Sequence, residues 1–325
     1  MSILGLSCGR PMGNSEVLLR EALTGAEEVA GAEVEIIRLA DVSIKPCRGC
    51  EVCMMTRVRT GAMGSCVIKD DHLSFLAEKL AECDGLILSA PAYFSRPPGP
   101  LLMLHDRMWG FGQIYFEKVS EKPKAAAIIA VGGSDNVGLM LPVTKLNLPI
   151  GFTLIDQMMV IWTSRPAQVV LNEEAIERAR RVGRKIGQAI ASGDAGYRGE
   201  GAGQTGDDSQ VRPQIARFYE ACPLCHTDLL RVRGSFVECP FCYGKGSVEM
   251  VDGAIRFVFY DEELQTPHFG PAGTKRHDDG LWQNQLLVDE KKQEIKEKLR
   301  KYEAYKSCTV PPASGRDRMS EKEEG

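Results

Sequence analysis

The chain has 325 residues, 43% of them apolar and 26% charged, with a formal net charge of −4. That length suits two domains, the first large enough to bury a core of its own. No apolar run approaches the length of a membrane-spanning helix, and the net charge gives no overall attraction to nucleic acid or anionic lipid.

The opening residues, Met1-Ser2-Ile3-Leu4-Gly5-Leu6, lack a basic flank and a small-residue cleavage site. They read as a strand of a cytoplasmic protein, not as a signal peptide. Further strand-like runs follow at Val34–Leu39, Gly85–Ser89, Ala125–Val131 and roughly Leu154–Trp162. Amphipathic stretches at Asn14–Ala30, Asp71–Ala81, Pro98–Trp109, Val137–Leu148 and Asn172–Ala191 separate and follow them, several opening on a capping residue. Strands alternating with helices give an α/β, doubly wound, five-stranded parallel sheet, with strand order 2-1-3-4-5 expected. This domain covers residues 1–192. A glycine-rich linker spans 193–214, a small cysteine module 215–262, and a loop, a charged helix near Asp289–Lys306 and a disordered tail make up 263–325.

Directly after the first strand lies Ser7-Cys8-Gly9-Arg10-Pro11-Met12-Gly13-Asn14-Ser15, then a helix. Glycines let backbone N–H groups turn inward, Ser7 and Ser15 offer hydroxyls, Asn14 is placed to cap the helix, and Arg10 supplies positive charge. The loop has neither the G-x-G-x-x-G of dinucleotide folds nor the G-K-[ST] ending of triphosphatases, so a single phosphomonoester, as in FMN, fits it best. After the third strand, on the same sheet edge, Pro91, Ala92, Tyr93 and Phe94 form a rigid turn with flat side chains suited to flank an isoalloxazine ring. After the fourth, Gly132 and Gly133 permit close backbone approach to the flavin.

Eight of the eleven cysteines fall into two dense groups, while Cys8, Cys83 and Cys308 carry no motif and read as buried or incidental thiols. The first group, Cys47-x2-Cys50-x2-Cys53 and then Cys66 after twelve residues, sits in a long connection over 45–70. Three closely spaced thiolates with a remote fourth suit a [4Fe-4S] cluster, and structural or redox-active thiols are the alternative. The second group pairs Cys222-x2-Cys225 with Cys239-x2-Cys242 across thirteen residues, Val232–Val237 reading as a hairpin between them. Two such knuckles suit a tetrahedral Zn2+ site, a zinc ribbon whose folding depends on its metal, with iron, as in rubredoxin's similar knuckles, the alternative.

The Ser7–Ser15 loop, the Pro91–Phe94 turn, the Asp106-Arg107 pair and the segment ending Cys66-Val67-Ile68-Lys69-Asp70-Asp71 together resemble the NADPH-dependent FMN reductase family of flavodoxin-like proteins, and within it the iron-sulfur flavoproteins. The resemblance covers about Met1–Ala191 and implies FMN at the three loops, two-electron flavin chemistry, and dimers or tetramers whose subunits meet near the flavins. It also favours the cluster, although the gap before Cys66 is wider than that family's compact spacing. The expected protein passes electrons between ferredoxin or NAD(P)H and a small-molecule or protein acceptor through FMN and the cluster. One alternative is a cluster-free NAD(P)H-dependent reductase of quinones or nitro compounds. A second is a flavin-based redox sensor whose ribbon contacts a partner.

Overall fold

A computed structural model describes residues 1–29, 31–94, 96–121, 124–133, 149–193, 215–216, 229–239, 244–251, 254–259 and 271–300. The chain divides into two compact units, Met1–Lys275 and Arg276–Gly325.

The first unit is built on β1 (Ser2–Ser7), β2 (Glu33–Arg38), β3 (Gly85–Pro91), β4 (Lys124–Val131) and β5 (Phe152–Val160), parallel in the order 2-1-3-4-5 as the alternation of elements predicts. A sixth strand, β6 (Ile215–Ala216), was not anticipated. It pairs antiparallel with the carboxyl end of β5, Met159 opposite Ala216 and Val160 opposite Ile215, so the chain after the glycine-rich stretch returns to the first sheet.

The central strands are apolar on both faces because helices cover both. Ile3, Ile87, Ala127, Ile129 and Val160 face the side of α1 (Asn14–Glu27) and, later in the chain, α6 (Glu173–Ser192). Leu4, Leu6, Leu86, Leu88 and Ile128 face the other side, packed with residues of α3 (Leu73–Glu82), α4 (Gly99–Asp106) and α5 (Gln113–Glu121). The short α2 (Val52–Thr60) lies in the connection between β2 and α3 and buries no residue. Neither α2 nor α5 stands out in the sequence. The first has no apolar stripe, and the second buries only Tyr115 and Val119, with Phe116 packed half-buried beside them.

Helices α1 and α6 cross at backbone contact. A Cβ at Gly183 would overlap the Ala22 carbonyl oxygen, and one at Gly25 would overlap that of Arg180. The expected cap at Asn172 is present, its Oδ1 accepting from Ala175 N at 3.0 Å. Asp156, fully buried on β5, takes two bonds from the Arg178 guanidinium of α6 at 2.7 and 2.8 Å, which pairs the buried charge within the core. The helix expected over Val137–Leu148 lies outside the described residues.

The second sheet is antiparallel, in the order β10-β9-β8-β7, with β7 at Arg231–Arg233, β8 at Phe236–Glu238, β9 at Lys245–Val251 and β10 at Ala254–Phe259. The β7–β8 hairpin is the one read from Val232–Val237, and its turn uses Gly234 at φ 59°. In the helical stretch toward the C-terminus stand α7 (Pro271–Glu290) and α8 (Lys292–Leu299); of the helix expected over Asp289–Lys306, residues 301–306 lie outside the described residues. No described helix is long and apolar enough to cross a membrane.

Candidate flavin site and cysteine loop

The loop after β1 delivers the chain into α1 with Gly13 as N-cap and no side-chain cap on the first turn. The N–H groups of that turn lack intrahelical partners and, with the helix dipole, favour an anion. Asn14 is therefore not the cap that its position suggested. Its side chain is drawn instead to the loop after β5, donating to Thr163 O at 3.2 Å and Arg165 O at 2.7 Å and accepting from Val169 N at 3.1 Å. Ser7 is fully buried, and its hydroxyl donates to Glu16 Oε2 at 3.4 Å. Ser15 is buried at the helix start, and Arg10 stands exposed beside Gly13, to which its carbonyl is bonded at 3.1 Å.

Glu16 is a site residue that the sequence reading missed. Fully buried one turn into α1, it receives Arg38 Nε at 2.7 Å and Nη2 at 2.9 Å, and Arg20 at 3.0–3.1 Å. The hydrogen bond from Arg38 holds its carboxyl down to about 2, against the opposing pull of burial. The signal available was an acid inside a phosphate loop's first turn, which needs a cation from another element.

The loops after β1 and β3 meet at Gly9, where a Cβ would come 2.5 Å from Ser15 Oγ and 3.2 Å from the Pro91 ring. Ser89, buried at the end of β3, donates to Ser15 O at 2.7 Å. Beyond Pro91 and Ala92 the chain makes a tight turn, with Tyr93 N to Arg96 O at 2.9 Å and Arg96 N to Tyr93 O at 3.2 Å. Tyr93 is 53% and Phe94 100% exposed, so both flat side chains stand free at the sheet edge. Gly132 joins them from β4, accepting from Thr163 N at 2.9 Å, and a Cβ at Gly133 would lie 2.9 Å from Ser164 Cβ. An uncapped helix start, a glycine that only a bare backbone fits, and free aromatic faces on neighbouring strands suit a phosphate-tailed planar cofactor. FMN fits the residues present.

The cysteine loop leaves the carboxyl end of β2. Both its ends are held by Arg107, whose side chain is fully buried. Its guanidinium donates to Lys45 O at 3.1 Å, Ile68 O at 3.2 Å and Cys66 Sγ at 3.2 Å, and pairs with the buried carboxylate of Asp71. Asp71 in turn accepts from Lys45 N at 2.9 Å and Leu73 N at 3.2 Å. Burial pulls the Asp71 carboxyl up, yet its bonds from Arg107 and the backbone outweigh this and leave it below the ordinary value. Cys47 and Cys50 are exposed, Cys53 and Cys66 half-buried, and all four are free thiols. Burial raises the Cys53 thiol, with Cys66 and Cys47 near enough to add to the effect. Among the described residues, no three histidine, cysteine, aspartate or glutamate side chains converge to hold a metal ion.

Of the other group, Cys239 is buried at the end of β8 with its N–H bonded to Gly244 O at 2.9 Å. Cys222, Cys225 and Cys242 lie outside the described residues.

A doubly wound sheet with these loops at its carboxyl edge defines a flavodoxin-like protein. Residues 1–144 match the model of the NADPH-dependent FMN reductase family. An iron-sulfur flavoprotein of Methanocaldococcus jannaschii is 31% identical over 204 residues, 58% of this chain and 97% of that protein. The chain belongs to this family of FMN-dependent oxidoreductases. A flavone synthase of Aspergillus candidus is 27% identical over 303 residues, 85% of this chain and 87% of that protein. The structure of a flavone reductase superposes with a TM-score of 0.72 at 24% identity, over 96% of this chain and 100% of that one, and so shares the fold.

Proposed function

We propose that the chain is an NAD(P)H-dependent FMN oxidoreductase exchanging a hydride equivalent with a small, flat organic acceptor. The observation carrying this reading is the extent of the likeness to the flavone synthase. A match over 85% of the chain necessarily continues past the first sheet, whereas the likeness to the iron-sulfur flavoprotein covers 58%. The open aromatic edge at Tyr93 and Phe94 is in keeping with it. FMN would be held at the α1 N-terminus by the Gly9–Ser15 backbone and Arg10, and at its ring by Pro91–Phe94, Gly132 and Gly133. When bound, it supplies two-electron hydride chemistry. The chain's own part is to fix those loops through Asn14, Ser89 and Thr163 and to present exposed aromatic side chains beside them. The net exchange is one hydride from NAD(P)H and one proton from solvent, both gained by the acceptor.

The test is anaerobic turnover by FMN-loaded protein with NADH or NADPH and either flavone or menadione, followed by nicotinamide absorbance. Nicotinamide oxidation that depends on the acceptor supports the reading. A protein that keeps FMN but is reduced by neither nicotinamide refutes it.

A second reading is favoured by one observation, that both Cys66 and Cys47 lie near enough to Cys53 to act on its thiol. In it the 45–70 loop closes around a [4Fe-4S] cluster and electrons from ferredoxin or NAD(P)H leave singly. Anaerobically purified protein with about four iron atoms and matching acid-labile sulfide per chain would establish that reading. Absence of both leaves the hydride reading. We also propose that Cys222, Cys225, Cys239 and Cys242 hold Zn2+, that the protein works in the cytoplasm, and that it is a homodimer or homotetramer. Zinc analysis of wild type against Cys239→Ser, and sedimentation, test the metal and the assembly.

A further inference from the structure

Among the described residues five non-glycine residues have positive φ, and three of them are large apolar residues: Met12 at 52°, Phe94 at 50° and Trp162 at 56°. Side chains with a Cβ rarely occupy that region, and bulky ones there point to a local demand on the backbone. Each of the three follows a different strand at the same sheet edge, Met12 after β1, Phe94 after β3 and Trp162 after β5. All three face solvent, at 56%, 100% and 55% exposure. Each loop also carries an exposed arginine, namely Arg10, Arg96 and Arg165. None of these three arginines is in an ion pair among the described residues.

The Trp162 loop is fixed at the flavin site and does not trail from it. Thr163 N bonds Gly132 O at 2.9 Å, Asn14 Nδ2 bonds Thr163 O and Arg165 O, and Gln168 Oε1 accepts from Ser164 N at 3.2 Å and Arg165 N at 3.1 Å. One loop therefore ties Trp162 to both the phosphate loop and the glycine loop.

We infer that Trp162 and Arg165 are specificity-determining residues that receive a planar aromatic acceptor bearing an ionised phenol. Resting on the proposed hydride reading, this names the acceptor's class. A flat indole face supplies stacking area, and a cation three residues along the same loop complements a phenolate. Met12 and Phe94 continue the apolar rim, with Phe94 shared with the flavin ring. A neutral aliphatic acceptor would use neither feature. A second copy of the chain would need a far broader apolar area than these separated side chains offer.

The experiment uses FMN-loaded full-length protein and two probes, 7-hydroxyflavone and flavone, at a pH where the phenol is ionised. Trp162→Leu should raise KM at least tenfold for both probes, and Trp162→Phe should restore most of the loss. Arg165→Gln should raise KM for 7-hydroxyflavone several-fold and leave that for flavone within twofold. In both variants FMN content and KM for the nicotinamide should stay within twofold. Equilibrium dialysis of 7-hydroxyflavone, read without turnover, separates this inference from the reaction it rests on. Binding by wild type that falls in Trp162→Leu upholds the surface even where turnover is absent. Unchanged binding and KM in Trp162→Leu overturn it, as does a rise in nicotinamide KM instead, or a fall in sedimenting mass that makes the rim a subunit contact.

Discussion

Arg107 Nη2 lies 3.2 Å from Cys66 Sγ, while the same guanidinium pairs with Asp71 and takes the carbonyls of Lys45 and Ile68. One buried cation thus closes both ends of a loop that otherwise exposes Cys47 and Cys50. The cysteine loop owes its shape to a residue forty-one positions downstream of Cys66, on the turn after α4.

Breaking this pair should release the loop without dissolving the sheet. Arg107→Met leaves the Asp71 carboxylate buried and unpaired, a change that typically costs about 3–5 kcal/mol. The double variant Arg107→Met with Asp71→Leu removes both charges and should recover much of that loss. The expected readout is faster reaction of Cys66 with a thiol reagent in Arg107→Met than in wild type, with thermal unfolding recording the stability change. Equal reaction rates in wild type and variant would show that the pair does not govern the loop.

Asn14 is the bond between the phosphate loop and the loop after β5, satisfying two carbonyls and one N–H. Asn14→Ala strands these groups and should cost about 2–4 kcal/mol. Because Gly13, Ser15 and Gly132 are positioned through it, FMN affinity should fall roughly tenfold or more. Asn14→Asp keeps the acceptor for Val169 N and loses both donors, so it should be no better than the alanine variant. Flavin retention on gel filtration checks this, and full retention in both variants would contradict it.

Gly183 should tolerate no side chain. In an ordinary helix interior, alanine would be favoured over glycine by about 1 kcal/mol. Here the added Cβ would overlap the Ala22 carbonyl oxygen on α1, so the helices must part. Gly183→Ala should lower stability by at least about 2–3 kcal/mol, and Gly183→Val by more. Gly31→Ala provides a contrast, because no heavy atom lies within 4 Å of a Cβ there and its cost is confined to its φ of 61°. Thermal midpoints rank the three.

The parallel sheet was legible because each strand is a short apolar run and each following helix has its own start signal. Sequential pattern fixes strand type, and the chirality and crossover rules then leave few orders to consider. What remained hidden depends on pairings across long separations. Asn14 looks like a helix cap from its neighbours alone, and only residues 163 to 169, folded back over the β4 loop, turn its side chain away. The Arg107–Cys66 contact and the β6–β5 pairing are of the same kind, made by residues that no local period connects. Trp162 was read as the last residue of a strand, since aromatic residues favour strands. The strand ends at Val160, and the left-handed backbone at Trp162 leaves no mark in the sequence.

Glu16 makes acid stability a test of the site. Its carboxyl is held at about 2, against an ordinary value of 4.5, chiefly by the hydrogen bond from Arg38. A carboxylate favoured in the folded state binds its proton more readily once the chain unfolds. Its stabilisation is therefore fully present above about pH 4.5 and is lost as the pH falls from there toward 2. Glu16→Gln should lower stability at neutral pH, because Arg38 and Arg20 lose their shared counter-charge on α1. It should also flatten the pH dependence inside that window, since glutamine does not titrate. Urea midpoints at pH 6 and pH 3 for both proteins measure this. Wild type should lose more than the variant between the two conditions, so that their midpoints converge at the acid end. Parallel losses would assign the acid sensitivity to other carboxylates, Asp71 first among them, whose value Arg107 and the backbone also hold down.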